Sequence, residues 1–226
     1  MDEEILSQIT KAAEDSLKNP GKTAGPLPKD KVGPDDNFIV VFRHGESEDN
    51  VNRIFSGWRD QTDITEVGVK QAEALRLGLN KLHIHEVITS DQLRSKHTAR
   101  IAFATHPNLD NLVWKEDWRI KERNYGDLNG KSKEEAMAMN PEEAIKWRRG
   151  YETPPPSGES IKVVEARVWP FLDELVDYIK QHKINAALSA SGNSMRAIRR
   201  YFEKLTVLEE MTVENPLGMD FALYRI

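Results

Sequence analysis

Short apolar runs alternate with amphipathic stretches along most of the chain. The runs at 38–42, 86–89, 112–114, 184–188 and 221–224 predict strands, because they are short and are bounded by turn-forming residues. Apolar residues at helical spacing predict helices at 65–79, 91–105, 133–139, 141–149, 160–182 and 193–204. This alternation predicts an α/β fold, specifically a three-layer α/β/α sandwich around a mainly parallel central sheet.

The first 36 residues break the alternation. Apolar positions recur at helical spacing from Ile5 to Leu17, and Asn19-Pro20-Gly21 ends that pattern. Prolines and glycines are frequent at 22–36, which predicts a loose connector. We therefore predict an N-terminal extension at 1–36 and a main domain at 37–226. The helix is expected to be docked on its own domain or frayed, in preference to binding a partner.

Composition limits the classes of function. The 226 residues carry a net charge of −5, which gives no general reason for nucleic acid or an anionic membrane to be a partner. Cysteine is absent, so disulfides, thiol nucleophiles and cysteine-ligated metals are excluded. No apolar run has the length of a membrane span, and the acidic start at Met1-Asp2-Glu3-Glu4 is unlike a signal or transit peptide. A cytoplasmic location is expected.

Chemistry-bearing residues follow the first predicted strand directly, as Arg43-His44-Gly45-Glu46. The carboxyl edge of such a sheet is where α/β folds place their ligands. A neutral imidazole can accept a phosphoryl group, and a guanidinium presents a planar set of donors to phosphate oxygens. Gly45 is expected to let the backbone approach a bulky anion closely. An Arg-His pair alone is more typical of an ordinary strand end. Segments further along the chain therefore decide between a surface pair and a phosphoryl-transfer site.

Further segments strengthen the functional interpretation by matching one family in order. They are Ser47 with Asn50, Phe55-Ser56-Gly57-Trp58, Thr89-Ser90 through Arg94, the segment 122–130, and Gly192-Asn193-Ser194-Met195-Arg196. From Phe38 to Ile226 the chain thus resembles the histidine phosphatase superfamily. Within it, Lys133, Trp147-Arg148-Arg149 and Pro154-Pro155-Pro156 resemble the cofactor-dependent (2,3-bisphosphoglycerate-dependent) phosphoglycerate mutases.

The resemblance implies a role for each matched residue. His44 would take the phosphoryl group and pass it on, Arg43 and Arg94 would hold that group, and Glu122 would exchange a proton with the substrate oxygen. A second grip on the substrate carboxylate would come from Arg123, Tyr125, Lys133, Arg148 and Arg149. The other implied substrate-binding residues are Asn50, Ser56, Gly57, Gly192 and Asn193.

The resemblance also implies a cofactor, a substrate and a setting. It implies 2,3-bisphosphoglycerate as the phosphoryl donor that primes His44, no metal, phosphoglycerate as the small-molecule substrate, and a place in glycolysis and gluconeogenesis. A homodimer is possible. His83 and His85 precede a predicted strand, but no third ligand is apparent beside them, so we do not expect a metal site there.

Two features depart from the family pattern. Before Gly192-Asn193 the family has a second histidine that donates to the phosphoryl group, whereas this chain has Ser191. Losing one such donor commonly costs about 10²- to 10³-fold in rate, and the shorter side chain would leave a gap for water. The mobile C-terminal tail of many family mutases also has no counterpart after Ile226.

Three hypotheses remain open. The first is a phosphoglycerate mutase-like enzyme, acting through phosphorylated His44 and impaired at Ser191. The second is a phosphatase of small phosphomonoesters, which access of water beside Ser191 would favour. The third is a pseudoenzyme that only binds phosphoanions, although a binding protein would not require Glu122.

Overall fold

The strands and helices follow the predicted alternation. The computed structural model describes residues 3–19, 21 and 24–226. The strands are β1 (Phe38–Arg43), β2 (Glu86–Thr89), β3 (Val113–Glu116), β4 (Ala186–Ala190) and β5 (Phe221–Arg225). The helices are α1 (Glu3–Lys18), α2 (Glu48–Val51), α3 (Glu66–Leu79), α4 (Leu93–Ala102), α5 (Lys133–Met139), α6 (Pro141–Arg149), α7 (Ile161–His182), α8 (Gly192–Glu203) and α9 (Val207–Thr212). The apolar pattern does not predict the short helices α2 and α9.

The strands form one sheet in the order β3-β2-β4-β1-β5. β1 is parallel to β4, β4 to β2 and β2 to β3, while β5 runs antiparallel to β1. Val40 in the central strand β1 pairs with Ala187 on one side and with Leu223 on the other. The prediction of a mainly parallel sheet is confirmed.

Both faces of the sheet are covered by helices. Ile39 and Val41 on β1 join a buried cluster that contains residues of α7 and α8. Val40 and Phe42 point the other way and join a second cluster with residues of α3 and α4. Because successive side chains of a strand face opposite sides, a continuous apolar run here fills two cores at once. The predicted three-layer sandwich is confirmed.

Some element boundaries differ from the predicted ones. β4 begins at Ala186, two residues after the predicted start, because Asn185 turns its side chain to accept the Phe38 N–H at 3.1 Å. It then extends to Ala190, which pairs with Arg43. The helix predicted at 91–105 is shorter, Leu93–Ala102, with Gln92 at its N-cap position. The strand predicted at 112–114 lies at Val113–Glu116.

Helix α1 is docked on the main domain. Ile9 and Ala13 are fully buried against Ile145, Ile161 and Met211, in a third apolar cluster away from the sheet. Pro20, in the predicted helix stop, lies outside the described residues, and α1 itself ends at Lys18. The docked alternative is therefore the one observed.

The segment after α1 is not the loose connector predicted from its prolines and glycines. The Asp30 N–H donates to the Leu223 carbonyl and the Leu223 N–H donates to the Pro28 carbonyl, both at 2.9 Å. Leu27 is buried, and its N–H donates to the Asp220 carboxylate. The connector lies along β5 because an edge strand has unpaired backbone groups to satisfy. Lys22 and Thr23 of the predicted connector lie outside the described residues.

The topology brings three strand ends together at one edge. β1 and β2 lie on either side of β4, so the residues that follow these strands meet at the carboxyl edge of the sheet. In open α/β sheets this is where ligands bind. Among the described residues, no helix is long and apolar enough to cross a membrane.

Candidate active site

A cavity of about 90 Å³ lies at this edge and gathers most of the predicted site residues. Those that line it are Arg43, His44, Asn50, Ser56, Gly57, Arg94, Glu122, Tyr125, Lys133, Arg148, Arg149, Gly192 and Asn193. Arg123 and Ser191 are not in its lining. It is also lined by residues that were not predicted, namely Ser16, Leu17, Gly21, Arg53, Arg196, Glu214 and Asn215.

His44 is held as a neutral imidazole. It is 3% exposed, and its backbone N–H donates to the Ala190 carbonyl at 3.1 Å. Its Nδ1 lies 2.7 Å from the Gly45 carbonyl. Because a carbonyl only accepts, Nδ1 carries the proton and Nε2 keeps its lone pair. Burial, together with the charges of Arg94 and Arg43, holds the pKa of His44 well below its ordinary value.

The reason for a glycine at position 45 differs from the predicted one. A Cβ on Gly45 would lie 2.5 Å from the carbonyl oxygen of Gly68, in the first turn of α3. The Gly45 N–H donates to the Thr98 hydroxyl at 3.0 Å, and Gly45 is not part of the cavity lining. The glycine therefore allows the loop after β1 to pack against α3, rather than allowing an anion to approach.

Arg94 is fully buried and Arg43 is half-buried, and each has a buried N–H group without an acceptor. Arg43 donates through Nη1 to the Asn215 carbonyl at 3.0 Å. Arg94 donates to the carbonyls of Gly57 at 3.0 Å and Arg59 at 2.8 Å. In both side chains Nε has no partner among the described residues. Burial lowers the pKa of both arginines from the ordinary value. Buried donors without partners are suited to phosphate oxygens.

The loop at 47–57 shapes one wall of the cavity. Gly57 has φ +44°, and a Cβ there would overlap the side-chain oxygen of Asn129. The Ser56 hydroxyl donates to Asp49 at 2.7 Å, and the Asn50 side-chain oxygen accepts from Ser47. Asn50, Ser56 and Gly57 thus line the cavity, but Ser56 has its hydroxyl proton already engaged. Their ligand roles stay predictions.

Glu122 faces the cavity as a carboxylate. Its Oε1 accepts the Arg123 N–H at 2.7 Å, the Asn193 N–H at 3.1 Å and the Asn193 Nδ2 at 2.8 Å. Burial alone would raise the pKa of Glu122. The hydrogen bonds from Arg123 and Asn193, with the charges of Arg94 and Arg43, instead lower it to about 2. Gly192 leaves room at this point, since a Cβ on it would lie 3.4 Å from both the Arg43 guanidinium and Glu122 Oε2.

The backbone that carries Glu122 is fixed by side chains from elsewhere in the fold. Arg167 on α7 donates to the carbonyls of Lys121 at 3.0 Å and Glu122 at 3.1 Å. The Trp58 indole N–H donates to the same Glu122 carbonyl at 2.8 Å. The proline loop supports the next residues, where the Asp127 N–H donates to the Pro156 carbonyl. The carboxylate is therefore held in one position before a ligand binds.

Two cations of the predicted carboxylate grip remain available. Lys133 lines the cavity, and burial with the charges of Arg148 and Arg43 lowers its pKa to about 7. Arg148 donates through Nη2 to the Ser16 hydroxyl at 2.9 Å, while its Nη1 has no partner among the described residues. Tyr125 lies beside them, with its hydroxyl accepting from Asn193 at 3.2 Å.

The other two predicted cations differ from each other. Arg149 donates to the carbonyls of Met211 at 3.0 Å and Ala12 at 3.1 Å, and it forms a buried ion pair with Glu214. Arg123 is fully buried and is not in the cavity lining. Its Nη2 donates to two carbonyls at the end of α6 and its guanidinium stacks over the Tyr125 ring, while Nε and Nη1 have no partner among the described residues. The contacts of both residues connect α6 to the cavity wall, and their roles toward a substrate stay predictions.

Ser191 and Gln92 form a pair behind the cavity. Ser191 is fully buried, and its hydroxyl donates to Gln92 Oε1 at 3.2 Å. The same oxygen accepts the Glu122 N–H at 3.0 Å, and Gln92 Nε2 donates to the Gly57 carbonyl at 2.8 Å. The Gln92 side chain thus lies directly against the Ser191 hydroxyl, and the gap for water expected beside Ser191 stays a prediction. Gln92 lies three residues after β2, and nothing in the sequence analysis singled it out.

His83 and His85 lie away from this cavity. Their rings contact each other edge to face, with centroids 4.5 Å apart. Within the described part of the chain, no group of three or more histidine, aspartate or glutamate side chains is placed to hold a metal ion.

Comparison with known proteins supports the assignment of this geometry to a family. The model of the histidine phosphatase superfamily (branch 1) matches residues 39–215, which include the loops around His44, Glu122 and Ser191. The chain belongs to the histidine phosphatase superfamily.

Curated relatives of this superfamily member are named as mutases. A 2,3-bisphosphoglycerate-dependent phosphoglycerate mutase of Rhizobium etli is 35% identical over 190 residues, covering 81% of this chain and 85% of the relative. Its counterpart in Methylocella silvestris is 37% identical over 191 residues, covering 83% and 88%. The relatives therefore support a phosphoglycerate mutase-like function.

Similar solved structures include phosphatases. A mycobacterial glucosyl-3-phosphoglycerate phosphatase matches with a TM-score of 0.72 and 27% identity, covering 83% of this chain and 92% of that one. A putative alpha-ribazole-5'-P phosphatase of Escherichia coli has a TM-score of 0.67 and 22% identity, covering 80% and 87%. The second likeness shows the fold alone.

Proposed function

We propose that this protein is a phosphoglycerate mutase that interconverts 3-phosphoglycerate and 2-phosphoglycerate through phosphorylated His44. The observation that carries the proposal is that one cavity gathers two groups of cations from different parts of the fold. Arg43 and Arg94 line it together with His44, and Lys133 and Arg148 line it from α5 and α6. A substrate with both a phosphate and a carboxylate matches this number of cations, whereas a simple phosphomonoester needs only the first group.

The phosphoryl transfer follows from the state of His44. Nε2 attacks phosphorus, and the bond from phosphorus to the substrate oxygen breaks as the new phosphorus–nitrogen bond forms. The unpartnered N–H groups of Arg43 and Arg94 stabilise the charge on the phosphoryl oxygens. A neutral imidazole is required, and the lowered pKa of His44 supplies one at neutral pH.

Glu122 handles the proton that accompanies each transfer. When phosphorylated His44 gives its phosphoryl group to a substrate hydroxyl, Glu122 accepts that hydroxyl's proton. In the reverse transfer it returns the proton to the oxygen that leaves. A pKa of about 2 in the free protein makes Glu122 a base at neutral pH. The arrival of an anionic phosphate beside it raises that pKa and lets the same group act as an acid.

The residues present also fit 2,3-bisphosphoglycerate as the priming molecule. It would supply the phosphoryl group that His44 carries at the start. Arg43 and Arg94 would hold one phosphate, and Lys133 and Arg148 the other. The unpartnered guanidinium nitrogens of Arg43, Arg94 and Arg148 give this fit its physical basis, since each is a buried donor without an acceptor.

Cavity size favours a small substrate. About 90 Å³ is available, which is several times the space of roughly 10–15 Å³ that one water requires and small for a ligand site. Such a cavity suits a three-carbon phosphorylated acid. Glucosyl-3-phosphoglycerate, after which the mycobacterial phosphatase is named, carries a whole hexose in addition and would need the cavity to open.

A phosphatase of small phosphomonoesters is the second candidate. Ser191 directs its hydroxyl to Gln92, so it offers no donor to a phosphoryl group in this geometry. A site short of one donor is expected to transfer slowly to a second substrate hydroxyl, and water can then compete for phosphorylated His44. The phosphatase with 27% identity to this chain supports the same candidate.

One assay separates these proposals. The full-length protein is primed with 2,3-bisphosphoglycerate and given 3-phosphoglycerate, and the appearance of 2-phosphoglycerate and of free phosphate is followed in the same sample. The mutase proposal expects isomerisation to exceed phosphate release. Dominant phosphate release supports the phosphatase, and binding without either product supports the pseudoenzyme.

The wider setting remains part of this proposal. A role in glycolysis and gluconeogenesis, a cytoplasmic location, a possible homodimer and the absence of nucleic acid or membrane partners are supported by the family resemblance and by the composition of the chain.

A further inference from the structure

The last turn of α1 is part of the cavity wall. Ser16 and Leu17 line the same cavity as His44, and Gly21, just after the helix, lines it too. The superfamily match covers residues 39–215, so α1 lies outside the residues that carry the family resemblance. An element that the family comparison does not include therefore contributes to the site.

Packing fixes α1 in this place independently of any ligand. Ile9 and Ala13 are fully buried, in contact with the apolar cluster formed by Ile145, Ile161 and Met211. Removing these apolar side chains from water stabilises the docked position of the helix. Because Ala13 and Ser16 lie three residues apart on one helix, this packing also fixes where Ser16 points.

Ser16 determines the position of Arg148. The Ser16 hydroxyl donates to the Ala13 carbonyl at 3.1 Å and accepts from Arg148 Nη2 at 2.9 Å. Arg148 is 7% exposed, and its Nη1 has no partner among the described residues. The hydroxyl thus holds one end of the guanidinium while the other end keeps a free donor.

The neighbouring arginine shows why the hydroxyl matters. Arg149 is also buried beside α1, but it is paired with the carboxylate of Glu214. That pairing cancels its charge locally. Ser16 is neutral, so it orients Arg148 without cancelling the charge that an anionic ligand would meet. Of the two arginines, Arg148 is the one left able to bind a substrate carboxylate.

We infer that α1 forms part of the substrate site and that Ser16 is a positioning residue, which aims Arg148 at the carboxylate of the substrate. The identity of the ligand in this inference rests on the proposed function. The positioning itself rests on the contacts of Ser16, Ala13 and Arg148.

Calorimetric titration of the full-length protein tests this inference, with 3-phosphoglycerate and inorganic phosphate as the two probes. Ser16→Ala is expected to weaken 3-phosphoglycerate binding about fivefold, the scale of one hydrogen bond, and to leave phosphate binding unchanged. Ser16→Thr keeps the hydroxyl and is expected to restore the affinity. Ser7→Ala, on the exposed face of the same helix, is the matched control and is expected to bind both probes like the parent.

A second pair of variants tests the docking of α1. Ile9→Asp places a charge in the buried cluster and is expected to release the helix, whereas Ser7→Asp places the same charge on its exposed face. Ile9→Asp should reduce the preference for 3-phosphoglycerate over phosphate by at least the factor seen for Ser16→Ala. Circular dichroism verifies that the main domain remains folded, and only folded protein is compared.

The outcomes separate this inference from the proposed function. If Ser16→Ala loses 3-phosphoglycerate affinity selectively while the parent shows no isomerisation, the positioning role stands and the mutase proposal fails. Equal losses for both probes, an unchanged affinity, or no preference for 3-phosphoglycerate in the parent each overturn the role of Ser16.

Discussion

Two sets of residues line the cavity, and they are built in different ways. The strand end, as we call the set Arg43, His44, Arg94 and Glu122, gathers at the carboxyl edge of the sheet, and backbone hydrogen bonds fix it there. The helical end, the set Ser16, Lys133 and Arg148, comes from α1, α5 and α6. In the proposed mechanism the strand end carries out the phosphoryl transfer, and the helical end selects the substrate.

The arginines of the cavity also differ in how many of their N–H groups already have a partner in the protein. Arg43 and Arg94 keep unpartnered N–H groups because backbone carbonyls take only part of their donors. Among the helical residues, Arg149 forms an ion pair with Glu214 and donates to two carbonyls, while Nη1 of the neighbouring Arg148 has no partner among the described residues. Residue type alone does not determine whether an arginine can bind a ligand. This depends on whether acceptors from distant parts of the chain already occupy its N–H groups.

The largest expected effect is at the nucleophile. His44→Ala should abolish isomerisation, a loss of more than about 10⁴-fold, because no other group can carry the phosphoryl group. Intact-mass measurement after incubation with 2,3-bisphosphoglycerate should show an acid-labile phosphate on the parent and none on the variant. His97→Ala is the control, since His97 is half exposed and pairs with Asp63. A phosphate that persists in His44→Ala would remove the covalent mechanism.

His44→Ala also tests which set of residues provides the affinity for 3-phosphoglycerate. His44→Ala should still bind 3-phosphoglycerate, because Lys133 and Arg148 remain in place at the helical end. Calorimetry on the variant measures this directly. Loss of all binding would show that the strand end also provides the selection.

The second largest loss of turnover is expected for Glu122→Gln. It keeps the shape of the side chain but removes the base, so turnover should fall about 10²- to 10⁴-fold with little change in KM. Steady-state kinetics of isomerisation measure both parameters. Glu116→Gln, at an exposed carboxylate that pairs with Lys96 outside the cavity, provides the control. A KM effect larger than the kcat effect would mean that Glu122 shapes binding rather than proton transfer.

The fold was largely predictable because the apolar pattern that predicts each strand or helix lies within that segment of the sequence. Apolar runs such as that before His44 fill both faces of a parallel sheet, and a residue placed just after such a strand reaches the carboxyl edge whatever the rest of the chain does. The connector was predicted to be loose because its prolines and glycines are visible in sequence. Its hydrogen bonds to Leu223, almost 200 positions away, are not visible there.

The helical end was predictable only in part, for the same physical reason. Lys133 and Arg148 were expected in the site and line the cavity. Arg123 and Arg149 were expected to bind substrate as well, and that role stays a prediction. Their contacts, among them the ion pair of Arg149 with Glu214, come from segments that sequence proximity does not connect. Ser16 could not be found by resemblance, because it lies outside the matched region.

The pH dependence of binding probes the helical end. Lys133 has a pKa of about 7, lowered by burial and by Arg148 and Arg43, and a bound anion would favour its charged form. Below pH 7 the lysine is already charged and affinity is full. Above pH 7 each binding event must take up a proton, so affinity should fall by up to about tenfold per pH unit. Above pH 7 the substrate phosphate contributes little, because its second pKa is about 6 and it is already mostly dianionic there.

Calorimetry of 3-phosphoglycerate binding between pH 6 and pH 9 measures this slope. Lys133→Met should flatten it, whereas Lys131→Met, an exposed lysine two residues earlier, should not. Proton uptake can be measured separately by repeating the titration in buffers of different ionisation enthalpy. A slope that persists in Lys133→Met would assign the titration to another group.

The smallest effect is expected at Ser191, although this is where the chain departs from the family pattern. Its hydroxyl donates to Gln92 and is not in the cavity lining, so Ser191→Ala should change turnover less than about threefold. A donor aimed at the phosphoryl group would instead cost about 10²- to 10³-fold. Steady-state kinetics of isomerisation and of phosphate release decide between these values.

Ser191→His tests whether a histidine at this position can reach the phosphoryl group. An imidazole built along the direction of the serine hydroxyl would meet the Gln92 side chain, which is fully buried and holds both the Glu122 N–H and the Gly57 carbonyl. The single variant should therefore gain little turnover and lose thermal stability, because overpacking a buried site is destabilising. Gln92→Ala combined with Ser191→His makes room for the ring and should be the more active of the two. A large gain from Ser191→His alone would show that the ring turns into the cavity, and that the strand end lacks only this donor.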